Sequence, residues 1–393
     1  MDSNILYIAS NYPPRIGGPA TTVPQLATEA SKENNLTIIA FREKEKYIDK
    51  TKNFSIKRSP SCYWPSFSNP FAVFARTIFM SIYSRIVCNS IKPRIIHAHD
   101  SHISAIAALF CKLTSLSTPT VIIKYAGDLA VEFSGLKSNN GKSIEDLMKK
   151  KRLFEKILFR MQKIIFNASD YIHVQNEYQK KVLKKLYSIS DKKIFILPNP
   201  LDTSIFKYKN KTKKEKKIIL TVSRLVPWKG IETMIKAMPN IITKNQKAEL
   251  HVYGEGSQEY TKKLLLLTKE LGINDKVYFF GKIEHDKLPA VYYTCDVFVQ
   301  PSKYEPFGIS VIEAASCGKP LIASRTGGLV EIVKGINNGY LFESENEKEL
   351  AKKVNLVLKK RSVQKKSKKT EEFLKQFSLY EIGKRLNDFY KQV

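Results

Sequence analysis

Ile218-Ile-Leu-Thr-Val-Ser223-Arg224-Leu-Val-Pro-Trp-Lys229-Gly230-Ile-Glu-Thr-Met-Ile235 is an apolar run, a short loop and the start of a helical repeat. Consecutive apolar positions from Ile218 predict a strand covered on both faces, and Ile231, Ile235 and Met238 then recur at helical spacing. The unit repeats downstream, with apolar runs at Glu249–Tyr253, Val277–Phe280, Val297–Gln300 and Leu321–Ser324. Upstream the runs fall at Ile5–Ala9, Leu36–Ala40, Ile95–Ala98, Thr120–Ile123, Tyr171–Val174 and Ile194–Leu197. Strands of this kind, separated by amphipathic helical patterns, define an α/β chain with two doubly wound, Rossmann-like parallel sheets.

Between the two series lie Pro198-Asn-Pro200 and the lysine-rich stretch Phe206 to Lys217, which carries no apolar period. The expected division is therefore residues 1–203, residues 204–370 and a closing helix over 371–393, where Phe373, Leu374, Phe377, Ile382, Leu386 and Tyr390 keep helical spacing. In open α/β sheets ligands collect beyond the carboxyl ends of the strands, so two such domains predict an interdomain cleft.

The chain has 393 residues and a formal net charge of +29, from 66 Lys plus Arg against 37 Asp plus Glu. With 43% hydrophobic residues it is not a disordered tail, and its charge favours phosphate-bearing partners. The five cysteines are odd in number and never form a C-x-x-C pair, which argues against a disulfide framework or structural zinc and fits a reducing cytoplasm. The opening Met1-Asp2-Ser3-Asn4 followed by Ile5–Ala9 predicts a buried first strand rather than a signal peptide, and Arg76 and Arg85 break up the best apolar stretch. No membrane-spanning helix is expected.

The strand ends should carry the chemistry. Cations beside a helix N-terminus oppose its macrodipole, so Arg224 and Lys229 make physical sense around an anion, with a phosphate or diphosphate the obvious one. Farther on, Gln300-Pro-Ser-Lys-Tyr-Glu305-Pro306-Phe-Gly308-Ile-Ser-Val-Ile-Glu313 leads to a short helix ended by Gly318 before Pro320. Pro306 keeps Glu305 extended, Gly308 lets the backbone approach a ligand, and Glu313 falls on the face of the opening amides. A carboxylate beside phosphate is repelled, so Glu313 and Glu305 are suited to hydroxyl groups. Gly254-Glu-Gly256 lacks the third glycine of a dinucleotide fingerprint and reads as a strand-to-helix turn.

Two glutamates separated by seven residues, with Ser223-Arg224 and Lys229-Gly230 before them and Thr326-Gly-Gly328 after, resemble the retaining glycosyltransferases of the group 1 family. The resemblance runs from Tyr12-Pro-Pro-Arg-Ile-Gly-Gly18 through His99-Asp-Ser-His102 and Leu197-Pro-Asn-Pro200 to the closing segment. It implies the GT-B fold of two facing Rossmann-like domains and transfer of a hexosyl unit from a nucleotide-diphosphate sugar to an acceptor hydroxyl, without metal or other cofactor. It also implies that Arg224 and Lys229 bind the diphosphate, Glu313 the ribose and Glu305 the sugar. The amides of Phe307, Gly308 and Ile309 would assist, and the backbone at Ile283 would meet the base.

In the first domain the resemblance places Gly17 and Gly18 against the donor diphosphate and makes His102 an active-site hydrogen-bonding group. By residue pattern alone, Gly17-Gly18 also fits a plain tight turn, and Thr22 with Gln25 predicts a capping box with Pro24 in the first helical turn. His97 and His99 share one strand face, so a metal site with His102 is conceivable, although no second shell is visible and packing is the favoured role. Many members have a His after the fifth strand, where this chain has Tyr125-Ala-Gly127-Asp128 and then Glu132. A subgroup active in cell-surface glycan assembly looks similar there. Asp128 is either a group contacting the acceptor or the residue that holds the glycine turn.

Lys142 to Lys163 interleaves basic residues with Leu147, Leu153, Phe154, Ile157, Leu158 and Met161, a basic amphipathic helix suited to an anionic membrane surface or to ordinary packing. The helix expected over Phe71 to Ile91 could assist. The expected partners are thus a nucleotide-diphosphate sugar, a glycan or lipid-linked acceptor, and an anionic membrane at which a cytoplasmic protein docks peripherally. Phosphorolysis on the same fold is the enzymatic rival. Nucleic-acid binding, motivated by net charge alone, is disfavoured because no module for it is present.

Overall fold

The computed structural model describes residues 3–15, 17–42, 53–59, 70–129, 131, 153–208, 215–360 and 367–393. The first part of the basic stretch expected from Lys142, up to residue 152, lies outside the described residues, as do Glu132 and residues 209–214 of the lysine-rich linker. The described residues form two compact units. One takes residues up to 131, 153–200 and 379–393, and the other takes 201–378.

The first unit is a seven-stranded parallel sheet ordered β3-β2-β1-β4-β5-β6-β7. Its strands are β1 (Ser3–Ala9), β2 (Asn34–Phe41), β3 (Ser55–Ser59), β4 (Ile95–Ala98), β5 (Thr120–Lys124), β6 (Tyr171–Val174) and β7 (Ile194–Ile196). Ile5 pairs in register with Leu36 on one side and Ile95 on the other. These residues are wholly buried or nearly so, as the two-faced apolar runs require. One face is covered by α1 (Gly18–Ala30) and by α13 (Leu379–Gln392), whose Ile382, Leu386, Phe389 and Tyr390 join Val23, Leu26 and Ala27 in one core. Phe389 stacks on Phe195 at 3.8 Å. Helices α2 (Pro70–Ile91), α3 (Ile103–Thr114) and α4 (Leu153–Ala168) form a second, adjoining group, with α2 and α3 both touching β1. A short α5 (Glu177–Val182) follows β6.

The second unit repeats the plan with six parallel strands ordered β10-β9-β8-β11-β12-β13. Here β8 is Lys217–Val222, β9 Ala248–Tyr253, β10 Val277–Gly281, β11 Val297–Gln300, β12 Leu321–Ser324 and β13 Gly339–Phe342. Helices α6 (Ile231–Ile242), α7 (Gln258–Glu270), α8 (Leu288–Thr294), α9 (Ile309–Ser316), α10 (Leu329–Lys334), α11 (Glu347–Lys359) and α12 (Lys368–Lys375) surround the sheet. Two apolar cores result, one holding Met234, Ile235 and Leu350, the other Phe298, Val311 and Leu329.

Two local expectations are corrected. The capping box does not form: α1 begins at Gly18 behind Gly17, no side chain caps it, and Thr22 and Pro24 lie inside the helix. Pro19 occupies the first turn, where a proline loses no intrahelical hydrogen bond, so the earlier proline sets the start. The closing segment is not one helix but two, α12 and α13, interrupted at 376–378 where the Phe377 carbonyl accepts from the Leu201 amide. The apolar spacing continues across the break because both helices are amphipathic, and Ser378 bridges Leu201 in a strand-like contact. Gly254–Gly256 is a turn between β9 and α7, whose Ser257 side chain caps the helix by accepting from the Tyr260 amide.

Candidate active site

In each sheet the strand order reverses between two central strands, β1 and β4 in the first unit, β8 and β11 in the second. At such a switch point the following loops depart in opposite directions and leave room for a ligand at the strands' carboxyl ends. Of the candidate residues of the second unit, Arg224, Lys229, Glu305, Phe307 and Gly308 lie on the two loops that flank its switch point, Ile309 and Glu313 lie in the helix that follows, and Ile283 lies beyond the edge strand β10.

After β8 the chain runs through Ser223 and the exposed Arg224, whose guanidinium lies over the Trp228 ring at 5.7 Å. A single 3-10 turn, Pro227–Lys229, then delivers Gly230 in the left-handed region (φ 68°) as the residue preceding α6. A Cβ at Gly230 would lie 2.0 Å from the Pro301 carbonyl, so the two switch-point loops touch backbone to backbone there. The Lys303 amide donates to the Trp228 carbonyl at 2.8 Å and adds a second tie.

After β11, Glu305 is buried and its Oε2 accepts from Lys229 Nζ at 2.6 Å, from Gln300 Nε2 at 3.2 Å and from Ser302 Oγ at 3.2 Å. The Glu305 carbonyl accepts from the Gly328 amide, and Thr326 donates to the Lys303 carbonyl, so the Thr326-Gly-Gly328 turn braces the loop. Gly308, at φ 106°, turns the chain into α9, whose first amides have no intrahelical acceptor. Phe307 beside it is buried against Phe377. Ile309 opens α9 and packs against the neighbouring core, as does Ile283 beyond β10.

Glu313 is buried in α9. Its Oε1 accepts from His285 Nε2 at 2.8 Å and its Oε2 from Tyr292 OH at 2.7 Å. Burial opposes a charge on His285, but the hydrogen bond and charge of Glu313 outweigh it and hold the imidazole above its ordinary value. Burial and then Glu313 push the Tyr292 phenol upward. Sequence reading missed both partners. His285 and Tyr292 sit 28 and 21 positions from Glu313, and no periodicity connects them.

In the first unit, Gly17 precedes α1 and Gly18 is its first residue. His102 occupies the N-cap position of α3, and its amide, with that of Ser104, donates to Asp100 Oδ1 at 3.0 Å. Burial alone would raise the Asp100 carboxyl, yet the charge of His102 and hydrogen bonds from Ser104, Ser10 and the His102 amide hold it below its ordinary value. The Ser10 amide donates to Ser104 Oγ at 3.0 Å, which joins the end of β1 to the start of α3. The Gly17-Gly18 and His102 loops therefore flank the first switch point.

Asp128 follows Gly127, whose carbonyl accepts from Ser101 Oγ beside His102 at 3.4 Å. It is fully buried, and its Oδ2 accepts from Tyr125 OH at 3.2 Å and from Tyr187 OH at short range, while Oδ1 faces the Val131 amide. His97 and His99 are also interior. His97 Nδ1 meets Tyr390 OH at 2.7 Å and its Nε2 meets His173 Nδ1 at 3.2 Å, while the His99 ring stacks on that of His97 at 4.4 Å. Among the described residues no group of three or more His, Cys, Asp or Glu side chains is arranged to hold a metal ion.

A twofold repetition of the Rossmann order, with a Lys–Glu pair at the second switch point, defines a two-domain α/β architecture. Residues 202–376 match the family model described as glycosyl transferases group 1, and residues 16–205 match the model described as glycosyltransferase family 4. The two models together span most of the chain, which belongs to the group 1 glycosyltransferases. An uncharacterised glycosyltransferase of Methanocaldococcus jannaschii is 41% identical over 145 residues, 37% of this chain and 36% of that protein. Mannosylfructose-phosphate synthase of Agrobacterium fabrum is 31% identical over 185 residues, 43% of this chain and 41% of that protein. These matches thus reach well under half the length of the curated relatives. The fold matches sucrose-phosphate synthase from Thermosynechococcus elongatus with a TM-score of 0.84 at 20% identity, covering 99% and 98% of the two chains. Anabaena HepE in complex with UDP and glucose matches with a TM-score of 0.76 at 17% identity, with full coverage of both.

Proposed function

We propose that this chain is a retaining hexosyltransferase that uses a nucleotide-diphosphate sugar, works without a metal ion and serves cell-surface polysaccharide or glycolipid synthesis. The observation that carries the reading is the Lys229–Glu305 pair at the second switch point, 2.6 Å apart and beside the glycine that opens α9. An ammonium, an exposed guanidinium and a helix N-terminus on one strand edge suit a diphosphate. A buried carboxylate already engaged by neutral donors and one cation suits sugar hydroxyls. The complex of HepE with UDP and glucose supports the same class of donor.

In this reading Arg224 and Lys229 neutralise the diphosphate, the amides of Phe307, Gly308 and Ile309 assist, Glu305 orients the sugar, and Glu313 receives the ribose hydroxyls. The backbone at Ile283 borders the base. On the first unit, His102 supplies a hydrogen bond to substrate, and the Gly17-Gly18 backbone gives access to a phosphate. Asp128, enclosed by two tyrosines, acts as a positioning residue that fixes the Ala126-Gly127 turn. The acceptor oxygen bonds to the anomeric carbon as the bond to the diphosphate breaks on the same face. The departing diphosphate takes the acceptor proton, and Arg224 and Lys229 stabilise its growing charge.

Arg224→Ala should lower turnover at least about a hundredfold, the scale of removing one charge-stabilising donor. Thermal shift against UDP-, GDP- and ADP-sugars identifies the donor, because a ligand that binds the native state raises its melting temperature. Full activity in the Arg224 variant, or phosphate-dependent release of sugar phosphate without a nucleotide donor, would overturn the assignment.

A further inference from the structure

Helices α2, α3 and α4 turn a large apolar surface to solvent. On α2 the positions Phe74, Ile78, Ile82 and Ile86 recur every four residues, and all are exposed, Phe74 by 63% and Ile86 by 61%. The neighbouring α3 adds Leu113, exposed by 85%, and Leu116 just beyond it is fully exposed. On α4 the exposed series is Ile157, Met161 and Ile164, while Phe159, Gln162 and Phe166 face inward. Single exposed apolar residues need no explanation, but outward apolar positions on three helices, α3 packing on both α2 and α4, are more than scattered exposure and point to a binding surface.

The charge on these helices selects the partner. Of the six basic side chains on α2, α3 and α4, Arg76 is buried, Arg85 donates to the Thr114 carbonyl and Lys112 pairs with Asp170, which leaves Lys156, Arg160 and Lys163 as the exposed cations; the one acidic residue, Glu155, is buried. Lys156, Arg160 and Lys163 are exposed and run along one flank of α4, turned away from its apolar stripe by about a quarter of the helix circumference. An apolar centre with a cationic flank complements the acyl–headgroup boundary of an anionic bilayer. A second copy of the chain would bring like charges together, which disfavours self-association. None of the helices is long and apolar enough to cross a membrane, so contact is with the surface.

We propose that the outer face of α2, α3 and α4 docks on an anionic lipid bilayer, with Ile82, Leu113 and Ile157 entering the interface and Lys156, Arg160 and Lys163 pairing with headgroups. This inference does not depend on the glycosyl-transfer reading, since vesicle binding needs no donor sugar.

Flotation with phosphatidylcholine vesicles containing 30% phosphatidylglycerol tests it. The expected result is binding at low salt that weakens at least tenfold in neutral vesicles or in 0.5 M salt. It should fall at least tenfold again in the triple variant Ile82→Ser, Leu113→Ser, Ile157→Ser. These positions are exposed, so an unchanged thermal midpoint should accompany the loss. The triple variant Lys156→Gln, Arg160→Gln, Lys163→Gln should lose the preference for anionic over neutral vesicles. Absence of binding to anionic vesicles, binding that survives the apolar substitutions, or a dimer in light scattering that those substitutions dissociate would each refute the proposal.

Discussion

Lys124 is the least expected charge in the molecule. It ends β5, is almost wholly buried, and its ammonium donates to Asn199 Oδ1 at 2.7 Å. Burial takes its pKa from 10.5 down to about 7. Between those values the unfolded chain keeps a proton that the fold has released, so stability rises with pH across that window by up to about 1.4 kcal/mol per unit. Below the lower value the full cost of burying the charge is present. Nearby, burial and Lys124 hold His97 down to about 3, and burial, other imidazoles and Lys124 push His99 and His173 well below the ordinary range. These rings are neutral from pH 7.5 to 9.5 and do not disturb the slope. Lys124→Met should flatten the gain in denaturation midpoint between pH 7.5 and 9.5. Parallel slopes for parent and variant would refute the assignment. In the sequence Lys124 is simply the polar end of an apolar run. Its partner lies 75 positions away, so the interaction was not legible there.

At the scale of elements, the junction of the two switch-point loops is the most constrained point. Gly230→Ala adds a methyl group 2.0 Å from the Pro301 carbonyl at a left-handed position. We expect a loss of at least about 2 kcal/mol, or about 4–8 °C for a unit of this size, together with reduced activity as the Glu305 loop shifts. Gly272 also has positive φ (64°), but a methyl group there would meet nothing within 4 Å, so Gly272→Ala isolates the strain from the clash. Equal melting temperatures for the two variants would remove the clash from the account. The strands were read correctly wherever both faces are covered. The two that escaped, β3 and β13, are edge strands: Ser55-Ile-Lys-Arg-Ser59 has one apolar residue, and Gly339-Tyr-Leu-Phe342 is short and mostly half-buried. Edge position alone does not hide a strand, since β7 and β10 are edges too and their runs Ile194-Phe-Ile196 and Val277-Tyr-Phe-Phe280 are apolar enough to read; β3 lacks that run and β13 is only four residues long, the first a glycine. Arg224, Lys229, Glu305 and Glu313 could be singled out in the sequence because they follow the ends of β8 and β11 and because the two glutamates keep their spacing. The Lys229–Glu305 contact was not, since it depends on how two loops meet whose paired residues lie 76 positions apart, and the bonds from Gln300 and Ser302 to Glu305 depend on the path of the loop that holds all three.

At the scale of the whole molecule, the two-sheet plan was visible as two series of apolar runs, but the destination of the last helix was not. Amphipathic spacing says that α13 buries one face and not against which sheet. The structure answers this with Tyr390, whose hydroxyl meets Tyr7 OH at 2.8 Å and His97 Nδ1 at 2.7 Å, and with Arg385, which donates to the Ile196 carbonyl at 2.7 Å. A chain ended at Ser378 should therefore lose hydrogen-exchange protection in β1 and β4 while β8 and β11 keep theirs. Undiminished protection of β1 and β4 would show that α13 is dispensable.

The return of the chain to its first sheet also bears on how the protein is made. The described residues of the second unit all fall within 201–378, whereas the unit begun before them lacks α13 until residues 379–393 emerge. At about 5–20 residues per second, the ribosome takes roughly 10–40 s to synthesise the intervening stretch. Throughout that interval the face of the first sheet that carries Tyr7 has α1 but not α13 over it, so the half translated first is completed last.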